Sequence, residues 1–148
     1  MLRLGRNRSG NVMLEFAIGA GVMVSVFTGT FQFGFTFLQY NNLVNAVNRG
    51  ARYASLVAYD SANNSPSSTF KTAVQNMVVY GTPTAGASPV LANLTTSNVD
   101  LTVTFANGIP STMTVYIKNY TINSIVSTTT LNSKPRVTYT YQGVWSPI

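Results

Sequence analysis

The N-terminal part of the chain is a long, almost uniformly apolar stretch. Residues 12–38 contain one charged residue, Glu15. About 20 mostly apolar helical residues cross a bilayer core, so this stretch is long enough to span one. The apolar region of a secretory signal peptide is shorter, about 7–15 residues, and ends at an A-x-A-like cleavage site. No such site closes this stretch, and the pattern predicts a transmembrane helix.

The pattern becomes amphipathic after Leu38. Apolar side chains recur at three- and four-residue intervals with Asn and Arg between them, which is the period of a helix with one buried face. The helix is therefore predicted to continue in water to about Tyr59. A polar loop containing Pro66 is predicted from Asp60 to Ser68. The apolar positions of the amphipathic part are Leu43, Val44, Val47, Ala51, Ala54 and Ala58.

A short second helix is predicted over residues 67–80. Ser67 or Ser68 can cap its N-terminus, and Gly81 can end it. Residues 82–98 are rich in Gly, Pro, Ala, Ser and Thr, which indicates a loop. The apolar face of the helix consists of Phe70, Val74, Met77 and Val78.

The C-terminal third alternates between apolar and polar residues, the period of a β-strand with one buried face. Three strands are predicted, over residues 99–105, from 113 to about 125, and over 137–145. Asn107-Gly108 is a turn signal, although Pro110 indicates a longer connection than a tight hairpin. The fold class is therefore α+β: a long N-terminal helix, transmembrane and then amphipathic, followed by a short helix and a small antiparallel β-sheet.

Composition excludes several classes of chemistry. The chain has no cysteine and no histidine, and its three acidic residues are Glu15, Asp60 and Asp100. Without cysteine and histidine the chain lacks thiol catalysis, the commonest general base and the commonest metal ligand. Three acidic residues leave almost nothing for paired-carboxylate chemistry. A Ser–Lys pair remains formally available, but nothing in the sequence marks one. We therefore expect no enzymatic activity, no metal and no cofactor.

The net charge of +6 is distributed in a way that argues against nucleic-acid binding. Basic residues form no stripe interleaved with aromatics. Three of the nine, Arg3, Arg6 and Arg8, precede the apolar stretch. Positive charge on that side favours a cytoplasmic N-terminus with the rest of the chain translocated.

Glu15 is the unusual residue of the apolar stretch. A carboxylate in a membrane span costs about 2.5–3.5 kcal/mol at mid-membrane on insertion scales, unless a partner lowers the cost. It follows Gly10 by five residues, and Gly10-Asn11 with Glu15-Phe16 resembles the N-terminal signal of the type IV pilin superfamily. The resemblance implies cleavage after Gly10 by a prepilin peptidase, methylation of Asn11 as the new N-terminus, and pairing of Glu15 with the N-terminus of a neighbouring subunit. A simple signal anchor would leave Glu15 unexplained.

A second resemblance involves a larger part of the helix. Glu15-Phe16-Ala17, the apolar stretch, and then Asn45-Ala46-Val47-Asn48-Arg49-Gly50-Ala51-Arg52-Tyr53-Ala54 are similar to the TadE-like family, pilin-like accessory proteins of the tight adherence (Tad/Flp) pilus system. Arg49 and Arg52 have two interpretations: a solvated helix face, or a contact with a partner subunit or anionic headgroups.

The resemblance implies a basic leader over residues 1–10, an assembly helix over 11–59 and an exported α+β domain over 60–148. The implied location is the bacterial inner membrane, single-pass with a cytoplasmic N-terminus, and the subunit either stays there or enters an extracellular pilus. The implied partners are a prepilin peptidase, other pilin-like subunits, the assembly machinery and the lipid bilayer. Two alternatives stay open: a major structural subunit of a filament, and a membrane-anchored binding module whose β-domain recognises a surface partner.

Overall fold

The computed structural model describes residues 8–124 and 126–147. Its first element is a single long helix, α1, Arg8–Leu56. The stretch Gly10–Leu56 contains an 18-residue window of mean hydropathy 1.8, which makes it long and apolar enough to cross a membrane. The chain divides into two compact units, the first ending at Phe35 and the second beginning at Thr36.

The first unit is the apolar part of α1, and its side chains are exposed. Large apolar residues here keep more than half of their surface accessible, which is the pattern of a helix that lies in lipid or packs against other chains. Exposed fractions are 64% for Val12, 78% for Phe16, 62% for Ile18, 65% for Phe27 and 62% for Phe31.

In the second unit, α1 ends at Leu56, three residues before the predicted end at Tyr59. The C-terminal segment of the chain causes this early end. The Tyr59 N–H donates to the Val144 carbonyl at 3.0 Å, and Tyr59 forms a parallel bridge with Trp145. A backbone donor satisfied by a distant segment of the chain is not available to continue the helix.

The second helix, α2, Ser68–Tyr80, agrees with the sequence prediction. Ser67 is the N-cap, because its Oγ accepts from the Phe70 N–H at 3.1 Å. At the other end Gly81 adopts φ 78°, the left-handed conformation, and its N–H donates to the Met77 carbonyl at 3.1 Å. One turn of 3₁₀ helix, Thr96–Asn98, lies in the stretch predicted as loop.

Two small antiparallel sheets complete the second unit. A three-stranded sheet consists of β1, Val99–Ala106, β2, Ile109–Ile117, and β5, Arg136–Thr140, with β2 in the centre. A separate pair consists of β3, Tyr120–Asn123, and β4, Thr128–Leu131. The α+β class is therefore confirmed, but the sheet differs from the prediction in three ways.

The predicted second strand is wrong in its length, since it is divided into β2 and β3. Asn119 lies between them with φ 50°, a left-handed conformation that turns the chain. Its N–H donates to the Asn132 side chain at 3.0 Å, which stabilises the turn.

The predicted third strand also ends early, at Thr140 rather than Trp145. Beyond it the Gln142 N–H donates to the Ser55 carbonyl at 2.8 Å. The chain therefore leaves the sheet for the end of α1.

The connection between β1 and β2 is tighter than Pro110 indicated. Asn107 and Gly108 have φ 53° and 79°, and together they form the two-residue turn of a tight hairpin. Pro110 is tolerated because the register shifts between Thr104 and Phe105. Phe105 pairs with Pro110, and Thr104 pairs with Thr112. Ser111 therefore has no partner on β1 and forms a β-bulge next to Pro110, which has no N–H to donate to the ladder.

The core of the second unit lies among α1, α2 and the three-stranded sheet. Its side chains are almost fully buried and come from every one of these elements. They include Leu43, Val47, Ala51 and Ala54 from α1; Phe70, Val74 and Val78 from α2; and Leu101, Val103, Met113, Val115 and Ile117 from the sheet.

Candidate functional site: the N-terminal helix

The predicted processing site lies in the first turn of α1. Gly10 and Asn11 are helical and exposed, two and three residues after the helix begins at Arg8. A side chain added at Gly10 would meet no atom within 4 Å. The fold therefore places no steric demand on this glycine. Arg3 and Arg6, predicted to orient the span, lie outside the described residues, as does the side chain of Arg8.

Glu15 and Phe16 lie on the exposed surface of α1. Phe16 keeps 78% of its surface accessible, and its neighbours Met13 and Leu14 keep 78% and 59%. Within the described part of the chain, Glu15 makes no ion pair. A carboxylate surrounded by exposed apolar side chains is suited to accept an ammonium group from another chain. In lipid such a pair would relieve the cost of the buried charge.

A shallow apolar groove follows Phe16 along the helix. Gly19 has no side chain and Ala20 only a methyl group, so these two positions leave a depression between larger side chains. The groove has a volume of about 450 Å³ and is lined by Phe16, Gly19, Ala20, Met23, Val24 and Phe27. Small residues of this kind allow close approach between helices in membranes.

The Gly50-Ala51-Arg52-Tyr53-Ala54 string divides between the core and the surface. Ala51 and Ala54 are fully buried. Gly50 faces α2, where an added Cβ would lie 2.2 Å from Val78 Cγ2. The small residues of the string therefore permit α1 and α2 to cross closely, a packing role that sequence reasoning did not assign.

Arg49 and Arg52 are both exposed, but their surroundings differ. The Arg49 Nη1 atom lies 3.6 Å from the position of a Cβ on Gly81, the C-cap of α2. A cation at a helix C-terminus is favourable because the last carbonyls carry partial negative charge. The Arg49 guanidinium therefore lies beside the C-terminus of α2. A contact of Arg49 or Arg52 with a partner or with headgroups stays a prediction.

The two acidic residues of the second unit bind neighbouring side chains. Lys118 Nζ and Lys71 Nζ lie 2.9 Å and 3.0 Å from the Asp100 carboxylate. Burial opposes ionisation of Asp100, but hydrogen bonds from Lys118 and Lys71 outweigh it and lower the pKa to about 2. Asp60 accepts a hydrogen bond from the Ser67 hydroxyl at 2.5 Å, which connects the loop to the N-cap of α2. Asp100 stabilises the fold through its two lysine partners, whereas the Oδ1 atom of Asp60 is buried with no hydrogen-bond partner among the described residues.

Sequence reasoning did not find a cluster of aromatic side chains where the C-terminal segment meets the end of α1. Tyr59 is fully buried, and its ring packs edge-on against Phe70, Phe105 and Tyr141 at centroid distances of 5.2, 6.0 and 6.4 Å. Burial raises the pKa of both Tyr59 and Tyr141. Trp145, predicted on the third strand, instead donates its indole N–H to the Ser61 carbonyl at 3.0 Å.

Comparison with known proteins relates one part of this structure to a family. Residues 10–52 match the family model of the TadE-like protein. No curated protein and no solved structure matches the chain. The matched segment begins at the glycine of the predicted processing site and includes Glu15, the apolar groove and the crossing at Gly50. Residues 10–52 of this helix are therefore similar to the TadE-like family, and they are called the TadE-like segment below.

Proposed function

We propose that this protein is a pilin-like subunit that is processed by a prepilin peptidase and takes part in assembling a Tad/Flp-type surface pilus. The TadE-like segment indicates a protein associated with a Tad pilus. The observation that carries the finer proposal is Glu15, a carboxylate on an exposed apolar helix, five residues after Gly10.

The mechanism has three steps. The basic leader and α1 hold the precursor in the inner membrane, with the second unit on the outer side. Cleavage between Gly10 and Asn11 creates a new terminal ammonium group. Glu15 of one subunit then pairs with that ammonium group of a neighbour, and the apolar groove receives a neighbouring helix. The charge pair sets the axial register because an unpaired carboxylate in lipid is unfavourable.

Cleavage is tested by mass spectrometry of the intact protein and its N-terminal peptide, prepared from native membranes. We expect a chain that begins at Asn11 and carries one extra methyl group. Gly10→Val should abolish cleavage, whereas Gly5→Val, a matched change at the other leader glycine, should leave it intact. A wild-type chain that still begins at Met1 would refute processing and would favour the membrane-anchored binding module.

Assembly is tested by Glu15→Gln, which removes the charge with little change of shape. We expect normal amounts of cleaved protein in the membrane but loss of surface pili, measured by shearing and immunoblotting. Thr28→Val, a polar-to-apolar change elsewhere in the apolar stretch, is the control. Pili formed by the Glu15→Gln variant at wild-type levels would rule out the charge pair. Abundance of this subunit in sheared filaments distinguishes an accessory from a major structural role.

A further inference from the structure

The connection between β3 and β4 is bonded to α1 near the end of its apolar stretch. The Thr36 and Ser124 hydroxyls lie 2.6 Å apart, although they are 88 residues apart in sequence. The apolar stretch ends two residues after Thr36, at Leu38, and Gln39 follows. This hydrogen bond therefore attaches a loop of the β-domain to Thr36, the first residue of the second unit.

The level of Thr36 relative to a bilayer follows from helix geometry. A span of about 20 residues that begins at Val12 ends near Phe31. Thr36 lies five residues farther on, or about 7.5 Å at 1.5 Å per residue. The headgroup layer on each side of the hydrocarbon is about 5–7.5 Å thick. Thr36, and with it Ser124, falls at the outer part of the headgroup layer.

The chemistry of the β3–β4 hairpin suits that level. Residues 119–133 contain no charged residue, and the flanking positions are Lys118 and Lys134. Entry into the interface would therefore take no ionised group out of water. The Ser124 N–H donates to the Ser127 carbonyl at 3.0 Å. These two backbone groups are therefore already hydrogen-bonded within the connection, as backbone groups next to lipid need to be.

One apolar side chain of the connection is displayed on the surface. Val126 keeps 68% of its surface accessible. A single exposed valine is ordinary on a soluble surface. This one follows Ser124, the partner of Thr36, by two residues and belongs to an uncharged hairpin.

We propose that the β3–β4 connection is a second membrane contact, in which Val126 enters the headgroup layer on the outer side of the bilayer that α1 spans. The proposal rests on the proposed function only in requiring that α1 be a membrane span. The occupant is lipid because the Thr36–Ser124 hydrogen bond fixes the connection at headgroup level. Extraction of the subunit from the membrane would then have to break this contact as well.

The test uses single-cysteine variants, since the chain has no cysteine of its own. Val126→Cys, Val144→Cys and Phe27→Cys are each labelled with an environment-sensitive fluorophore. The full chain is reconstituted in vesicles of phosphatidylcholine and phosphatidylglycerol containing spin-labelled lipids. Val144 is the matched control: it is 70% exposed, and its carbonyl binds Tyr59 at the far end of α1. The helix from Thr36 to Leu56 separates the two sites by about 30 Å.

We expect lipid quenching and a blue-shifted emission for the Phe27 and Val126 labels, and aqueous iodide quenching for the Val144 label. If the Phe27 label is quenched by lipid while the Val126 label behaves like the Val144 label, the hairpin proposal is overturned and the span stands. If the Phe27 label is not quenched by lipid, the span itself fails. A Val126 label shielded from both quenchers would indicate a protein partner, which also overturns the proposal.

Discussion

Tyr141 and Tyr59 are joined across the end of α1 by a hydrogen bond from the Tyr59 N–H to the Tyr141 hydroxyl, 2.8 Å long. The same hydroxyl lies 2.7 Å from the Val144 carbonyl and 3.1 Å from the Val57 carbonyl. Ser111 positions Tyr141, because its carbonyl at the bulge accepts the Tyr141 N–H at 2.8 Å. One side chain from the end of the sheet thus satisfies backbone groups that the end of the helix leaves unpaired.

Removal of this hydroxyl should weaken the attachment of the C-terminal segment. Tyr141→Phe keeps the ring contact with Tyr59 but removes the donor to the Val57 carbonyl, whereas the Val144 carbonyl still accepts from the Tyr59 N–H. We expect a loss of about 1–2 kcal/mol in the free energy of unfolding. Urea unfolding of the full chain in detergent measures it. Tyr139→Phe, at a residue on β5 that is 39% exposed, is the control and should change little. Equal effects of the two substitutions would contradict the assigned role of the hydroxyl.

Gly50 should tolerate no side chain, in contrast to glycines of the apolar stretch. An alanine Cβ there would overlap Val78 Cγ2, so we expect Gly50→Ala to destabilise the second unit by about 1–3 kcal/mol. At Gly34 an added Cβ meets no atom within 4 Å. Gly34→Ala should therefore be neutral or stabilising, since alanine favours a helix over glycine by about 1 kcal/mol. Thermal unfolding of both variants in detergent tests the opposite signs.

Asp100 should make stability depend on pH in the acid range. Its pKa falls from the ordinary value of 3.8 to about 2 in the folded protein. A carboxyl group with a lowered folded pKa contributes stability that is present above about pH 4 and is lost as the pH falls toward 2. We expect the unfolding midpoint in urea to decrease across that window. Asp100→Asn should flatten this decrease, and an unchanged slope in that variant would show that other groups cause it.

Thr36 should hold the β3–β4 hairpin in place. Thr36→Val removes the hydroxyl that lies 2.6 Å from the Ser124 hydroxyl, and we expect faster amide hydrogen exchange in β3 and β4, read by mass spectrometry. Thr30→Val is a matched control, because the Thr30 hydroxyl donates to the Val26 carbonyl of its own helix at 2.9 Å. If both variants exchange alike, the hydrogen bond does not position the hairpin.

Local patterns in the sequence were sufficient for most of the helical structure. The position of Ser67 before an amphipathic segment and of Gly81 after it predicted both ends of α2, because caps satisfy backbone groups within a few residues. The apolar stretch around Glu15 predicted the first part of α1 for a similar reason, since length and the absence of other charges require no knowledge of distant residues. The alternation from Val99 to Phe105 predicted β1.

Tertiary structure decided what depends on residues far apart in the chain. The early end of α1 follows from the pairing of Tyr59 with the segment that contains Val144 and Trp145. The residues around Tyr59 contain no local signal that predicts this end. A C-terminal residue is also constrained from afar: an added Cβ at Gly143 would lie 2.6 Å from the Val57 carbonyl oxygen. In the sequence Gly50 is one of several small residues in a helix. The crossing of α1 with α2 places Val78 next to it, which is why the position requires glycine.

The sequence by itself determined the elements whose stability is local: the apolar helix with Glu15 near its start, the capped α2 and the alternation of β1. It also determined the spacing from Gly10 to Glu15, on which the proposed processing depends. The tertiary structure decided that β2 and β3 are separate strands, that Arg49 lies at the C-terminus of α2, and that Ser124 reaches Thr36. These outcomes depend on hydrogen bonds and side-chain volumes contributed by distant parts of the chain, and periodicity within one segment contains no information about either.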